Sequence, residues 1–228
     1  RKRHHNPQYL SSASFDISKL HLTSDATEVI NNSDTILIAI PSAFVREVLS
    51  TLDKNIFNGK KIISAVKGIL PEQNVLLNDY LKQNFNVPVE NYFTVLGPCH
   101  AEEVAAEKLS YLTFTGVHPA STAEISGFFK TPYINTIQNH DIYGVQYAAA
   151  LKNIYAVGSG IAHGLDYGDN FLSVLIANSA DEMAGFLRKA GIINAEVGYI
   201  VHENSSGNVQ PHNNYATSVY LGDLLVTC

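Results

Sequence analysis

The chain has 228 residues, 46% of them hydrophobic and 16% charged, which is a globular composition with enough apolar material for a sizeable core. Its 15 Lys and Arg face 21 Asp and Glu, a formal charge of -6, so no broad cationic surface exists to track a phosphate backbone and nucleic acid is not an expected partner. Even Tyr147 to Leu165 is interrupted by Lys152, Asn153, His163 and three glycines, so no integral membrane segment is expected.

At the N-terminus Arg1-Lys2-Arg3-His4-His5 is basic, but no apolar stretch follows it. It does not read as a signal peptide, and a cytoplasmic protein is expected. Because residue 1 is not Met, the numbered chain is expected to begin inside a longer gene product. Thr35-Ile36-Leu37-Ile38-Ala39-Ile40 is an apolar run that stops at Pro41-Ser42, the pattern of a central parallel strand buried on both faces. Phe44, Val45, Val48, Leu49 and Leu52 follow at helical spacing, and Gly59-Lys60-Lys61 leads into a second strand over 62–66, giving one β-α-β unit. A helix is expected over 74–85, a strand over 92–96 ending at Gly97-Pro98, two more strands over 109–115 and 133–137, and a short helix over 121–129 between them. This alternation predicts an α/β fold, a Rossmann-like doubly wound sheet with ligands at the carboxyl ends of its strands. The loops at Pro41, Lys67 and Gly97 are therefore the places to search.

From Asp141 no strand-like run follows and small residues accumulate. Long helices over 141–163 and 171–190 predict a second, mainly α-helical domain. The expected division is 1–140 and 141–228. Asp166 to Asn170 reads as a turn with a cap for the second long helix. Residues 194–214 are polar and read as a loop or insert, whereas 215–228 is again helix-compatible.

A glycine loop of G-x-G-x-x-G spacing, which lets backbone amides approach a pyrophosphate, is absent from the sequence. Gly158-Ser159-Gly160-Ile161-Ala162-His163-Gly164 is off by one and reads as a small-residue surface for helix packing. Lys67 closes the second strand, where it either holds a phosphate or nicotinamide or is a solvated strand-end lysine. Gly97 to Val104 combines a strand end, a turn and a helix start, so its free amides suit an anion or simply form a βα turn. Cys99 has only the adjacent His100 as a base, so a nucleophilic thiol is not expected. The histidines show no metal-ligand spacing and the two cysteines, Cys99 and Cys228, no paired one, so no metal is expected.

Lys152 sits among Ala149, Ala150, Leu151, Ile154 and Tyr155. From the helix pattern alone it snorkels to solvent. Packed against the ligand end of a sheet it would instead be desolvated, its pKa lowered toward neutrality, and it would serve as a general acid or base. Asn153 is then a neutral hydrogen-bond donor to a substrate oxygen. Asp223, an acid within an apolar segment, is either a cap or a ligand.

Taken in order, Ser64-Ala65-Val66-Lys67-Gly68-Ile69, Gly97-Pro98-Cys99-His100-Ala101-Glu102-Glu103-Val104-Ala105, Ala150-Leu151-Lys152-Asn153-Ile154-Tyr155-Ala156 and Gly222-Asp223-Leu224-Leu225-Val226-Thr227-Cys228 resemble the NAD(P)-dependent glycerol-3-phosphate dehydrogenases of bacterial type. The resemblance covers nearly everything except about 192–211. It implies a dinucleotide-binding domain followed by a helical substrate domain, with NAD or NADP as cofactor. It also implies a phosphorylated triose or glycerol substrate, a role in supplying glycerol 3-phosphate for phospholipid synthesis, and allows a homodimer. Lys152 is by resemblance the proton donor and acceptor at the C2 oxygen. Lys67 touches substrate and cofactor, Gly97 and Cys99 belong to the substrate loop, Asn153, Asp223 and Thr227 lie on the substrate side, and Phe44 and Ala101 lie beside the dinucleotide. The family's glycine loop is expected before Arg1 and its Ser-Arg-Asn segment after Cys228. A 6-phosphogluconate-type β-hydroxyacid dehydrogenase is the enzymatic alternative, but there the lysine and asparagine stand a helical turn apart. A non-catalytic nucleotide-binding homologue is the other, and joint retention of Lys67, Lys152, Asn153 and Asp223 speaks against it.

Overall fold

The computed structural model describes residues 5, 6, 8–11, 13–192 and 218–228. In chain order the main elements are α1 (Ala26–Asn31), β1 (Thr35–Ile38), α2 (Ser42–Leu49), β2 (Lys61–Ser64), α3 (Leu77–Phe85), β3 (Tyr92–Leu96) and α4 (Ala101–Ala105). They continue with β4 (Ser110–Thr115), α5 (Pro119–Gly127), β5 (Ile134–Asn139), α6 (Ile142–Gly164), α7 (Gly168–Lys189) and α8 (Asp223–Thr227). The five strands form one sheet in the order β1-β2-β3-β4-β5. β1, β2 and β3 are mutually parallel, β4 is antiparallel to β3, and β5 is parallel to β4. The carboxyl ends of β1 to β3 therefore share one edge of the sheet, and those of β4 and β5 share the opposite edge.

Period-two alternation sends neighbouring side chains to opposite faces. Ile62 and Tyr92 join Val45, Leu49, Leu77 and Leu81 in the core beneath α2 and α3, whereas Ile63 and Phe93 join Phe114 and Ile125 beneath α5. The run 35–40 proves to be an edge strand of the described sheet instead of a central one, and Leu37 is 47% exposed. The helix expected from 74 starts at Leu77, because Leu70 bridges Val75 and both Glu72 and Asn74 take positive φ. α7 begins at Gly168, so Asp169 lies in its first turn, where a carboxylate favours the dipole, and does not precede it as a cap. The insert 194–214 lies outside the described residues. Of 215–228, a π-helical turn over Ser218–Gly222 leads directly into α8.

α6 is the member that joins sheet and helices. Its first residue, Ile142, packs into the core beneath the sheet, while Val145, Ala148 and Ala149 pack with Leu96, Met183, Leu187, Tyr220 and Leu224. A buried polar seam fixes its rotation. The Tyr92 hydroxyl donates to Gln146 Oε1 at 3.0 Å, and Gln146 Nε2 donates to Asn78 Oδ1 at 3.0 Å and to the Ile142 carbonyl at 2.8 Å. Of the small-residue run 158–164, Ser159 and Ala162 are buried, whereas a Cβ on Gly158, Gly160 or Gly164 would meet nothing within 4 Å. None of the described helices is long and apolar enough to cross a membrane.

Asp141 caps α6. Its Oδ1 accepts from the Gly144 N–H at 2.8 Å and its Oδ2 from the Tyr220 hydroxyl at 2.6 Å. A methyl on Gly144 would overlap that carboxylate. Replacing a helical glycine by alanine ordinarily stabilises by about 1 kcal/mol, and Gly160→Ala, with open space around it, is expected to do so. Gly144→Ala is expected to destabilise by about 1–2 kcal/mol through loss of the cap. Denaturant titration of the two variants should give opposite signs; a shared sign would remove the argument.

Candidate active site

The loops after β1 and β2 open onto a hollow of about 400 Å³ lined by Ala39, Ile40, Pro41, Ser42, Ala65 and Lys67. Its lining is mostly apolar and includes the exposed Lys67. Phe44, on the first turn of α2, is 56% exposed, and its backbone N–H donates to the Pro41 carbonyl at 2.9 Å. At the end of β3 the antiparallel β4 passes close by. Gly97 takes φ of +121°, and a Cβ there would stand 3.2 Å from the Tyr111 carbonyl oxygen, so this turn demands glycine twice over. Beyond it Cys99 is half-buried, with the Ser110 hydroxyl beside it. Burial pushes the Cys99 thiol up, and the neighbouring Lys67 charge only partly offsets this. A thiol so held stays protonated and unreactive near neutrality.

Lys152 does not snorkel. It is 4% exposed, and its Nζ stands 2.6 Å from Oδ2 of Asp223, itself 3% exposed. Burial holds the Lys152 ammonium below the ordinary lysine range. Asp223 opposes that shift without cancelling it, and Lys67 adds to it by like-charge repulsion. Lys67 and Asp223 thus each act on both Cys99 and Lys152, at the edge where β2 and β3 end. Thr227 lies one turn beyond Asp223 and its hydroxyl donates to the Asp223 carbonyl at 2.6 Å. Asn153 is exposed, as expected one residue and about 100° around the helix from a buried lysine. Ala101 is exposed as the first residue of α4.

A larger hollow of about 830 Å³, lined among others by Asn139, His140, Asp141 and Tyr143, lies toward the opposite edge. Its one carboxylate is already engaged by Gly144 and Tyr220, and none of the residues above lines it. Reading the sequence alone passes over Ser110, Asp141 and Tyr220. Asp141 carried a usable signal, an N-cap residue type at a helix start; the other two carried none. No metal-binding cluster of His, Cys, Asp or Glu occurs among the described residues.

Residues 1–121 match the family described as NAD-dependent glycerol-3-phosphate dehydrogenase N-terminus, and residues 141–228 match its C-terminus. The chain belongs to the NAD-dependent glycerol-3-phosphate dehydrogenase family. It is 34% identical over 182 residues to glycerol-3-phosphate dehydrogenase [NAD(P)+] of Staphylococcus carnosus, covering 79% of this chain and 54% of the relative. It is likewise 34% identical over 188 residues to that of Levilactobacillus brevis, covering 80% and 55%. The chain spans about half the length of the curated relatives it matches. In fold it is similar to the crystal structure of glycerol-3-phosphate dehydrogenase from Coxiella burnetii, with a TM-score of 0.81 at 23% identity over 99% of this chain and 63% of that one. The corresponding Plasmodium falciparum structure gives a TM-score of 0.81 at 24% identity, covering 99% and 58%.

Asp223→Asn leaves the Lys152 ammonium buried without its counter-charge, and a loss of about 3–5 kcal/mol is expected near pH 7. The folded Lys152 pKa lies below that of the unfolded chain. The unfolded state therefore binds more protons between the two values, and stability rises with pH across that window. Removing Asp223 lowers the folded value further and widens the window, so the deficit shrinks toward alkaline pH as the amine becomes neutral. Urea titrations at neutral and alkaline pH test this; a deficit that does not change with pH would mean that no charge is at stake.

Proposed function

We propose that this chain carries the acid–base site of an NAD(P)-dependent glycerol-3-phosphate dehydrogenase, interconverting dihydroxyacetone phosphate and sn-glycerol 3-phosphate. The observation that carries the reading is the buried Lys152–Asp223 pair, 2.6 Å apart, at the edge where the parallel strands end. A lysine lowered by desolvation there can give a proton to the C2 oxygen during reduction and take it back during oxidation. Lys67 supplies a positive charge toward the substrate and cofactor. Gly97 and Cys99 contribute the substrate loop, in which main-chain contacts tolerate a protonated thiol. Asn153, Asp223 and Thr227 lie on the substrate side.

The hollow at the ends of β1 and β2 fits part of a dinucleotide, with Ala39, Ile40 and Ala65 in its lining for a planar ring and Lys67 for negative charge. Phe44, Lys67 and Ala101 are assigned to holding NAD or NADP, and of these Lys67 lines the hollow. The nicotinamide, when bound, supplies or accepts the hydride. We assign residues 1–140 to the dinucleotide-binding domain and 141–228 to the helical substrate domain. On the same reading the protein works in the cytoplasm as a homodimer and supplies glycerol 3-phosphate for phospholipid synthesis.

The test uses the full-length gene product and follows NADH and NADPH oxidation with dihydroxyacetone phosphate. Lys152→Ala is expected to lower kcat by about 10²–10⁴-fold. Reduction needs protonated Lys152, so its rate should fall as pH rises through the lowered lysine pKa, while oxidation should gain. An inactive wild type, or an alanine variant of undiminished rate, overturns the proposal.

A further inference from the structure

We infer that Tyr220 is a positioning residue for this site: its hydroxyl, tied to Asp141 at the start of α6, holds the Asp223 carboxylate against Lys152. The inference rests on the reading of Lys152 as the acid–base group.

Asp223 opens α8, a helix of five residues whose N-terminus has no side-chain cap. So short a helix has little stability of its own, and the position of its first carboxylate must come from tertiary contacts. Among the described residues those contacts are of two kinds. Val219, Tyr220 and Leu224 sit in the apolar cluster with Leu96, Val145, Ala148 and Met183. Such burial is strong but non-directional, so it leaves the segment free to slide or turn along α6. Besides the Lys152–Asp223 pair itself, the segment makes a directional contact through the Tyr220 hydroxyl, which donates to Asp141 Oδ2 at 2.6 Å across 79 residues of sequence.

Asp141 is a firm anchor, because its other oxygen accepts from the Gly144 N–H at 2.8 Å. The segment 218–227 therefore grips α6 at two points, Asp141 and Lys152. Eleven residues of helix separate them by about 16 Å, so together they fix both the height and the rotation of Asp223. Burial, first, and the adjacent Asp141 keep the Tyr220 hydroxyl protonated and a donor at every working pH.

The charged and titratable groups around Lys152 show what this hold controls. Asp223 reaches it from α8 and Lys67 from the loop after β2. Cys99, from the loop after β3, faces Lys67 and Asp223, and Glu103 of α4 faces Cys99. On α6 itself Tyr155 faces Glu182 of α7, and Asn139 stands beside the Tyr220 hydroxyl. Asp223 is the group that raises the proton affinity of Lys152, whereas burial and Lys67 lower it. Loosening Asp223 therefore moves Lys152 further down.

The test is Tyr220→Phe in the full-length protein with ¹⁵N-labelled lysine, Lys152 being assigned by its loss in Lys152→Ala. The Lys152 titration is expected to fall by about half a unit or more, roughly a threefold change in proton affinity. Asp223→Asn should lower it too, and adding Tyr220→Phe to that variant should change nothing further. Asp141→Asn, which leaves one acceptor for two donors, should shift it in the same direction as Tyr220→Phe and serves in its place if that variant does not fold. In dihydroxyacetone phosphate reduction the alkaline limb of kcat should move down with the titration, at little change in KM. Two results overturn the inference: a Tyr220→Phe protein that melts earlier while Lys152 titrates as in the wild type, or an equal shift in the Asp223→Asn background. If the wild type reduces no triose phosphate, the functional proposal fails, and the lysine titration still decides the role of Tyr220.

Discussion

The buried pair of Lys152 and Asp223 is the constraint around which the rest of the described structure is organised. Taking an ammonium and a carboxylate out of water costs several kcal/mol per ion, and their attraction repays this only when geometry is held closely. Such a pair is a poor way to gain stability. It is a way to obtain a lysine that holds its proton less tightly than an ordinary one, because burial lowers its affinity while the carboxylate opposes that shift without cancelling it. The energetic burden falls on the scaffold, which must bring two distant segments to within 2.6 Å and keep them there.

That burden explains why α6 is fixed by polar contacts as well as apolar ones. Apolar packing sets the distance of a helix from its neighbours more firmly than its rotation, and one residue of rotational slip moves a side chain by about 100°. The seam of Tyr92, Gln146 and Asn78 is buried and hydrogen-bonded, so a turned helix would strand several polar groups at once. Tyr143, whose hydroxyl donates to Asp79 at 2.9 Å, adds a second tie to α3. The outcome is visible in adjacent residues: Lys152 is buried and Asn153 is exposed.

What could be read from the sequence follows the range of the forces involved. Strands β2 and β3, the run of helices after Asp141 and the turn at Gly97 were legible because each is written in local pattern. The run 35–40 was legible as a strand, and it forms one edge of the described sheet. The glycines of α6 suggested close packing, yet spacing alone cannot tell a packed small residue from an open one. For Lys152 the local pattern pointed to solvent, because its surroundings come from distant segments, Asp223 of α8 and Lys67 after β2. Tyr220 was silent for the same reason, since its meaning lies in a partner 79 residues away.

The reversal at β4 accounts for the length and course of α6. β5 runs opposite to β3, so it delivers the chain to the edge away from the site, and α6 must travel back along the sheet before it can contribute a side chain there. A five-residue strand such as β3 is about 17 Å long, and the eleven residues of helix from Asp141 to Lys152 rise about 16 Å. The contacts follow that path: Ile142 packs in the same core as Tyr92, where β3 begins, whereas Val145, Ala148 and Ala149 pack with Leu96, where β3 ends. Lys152 therefore arrives at the carboxyl edge because the helix returning from β5 is long enough to cross the sheet.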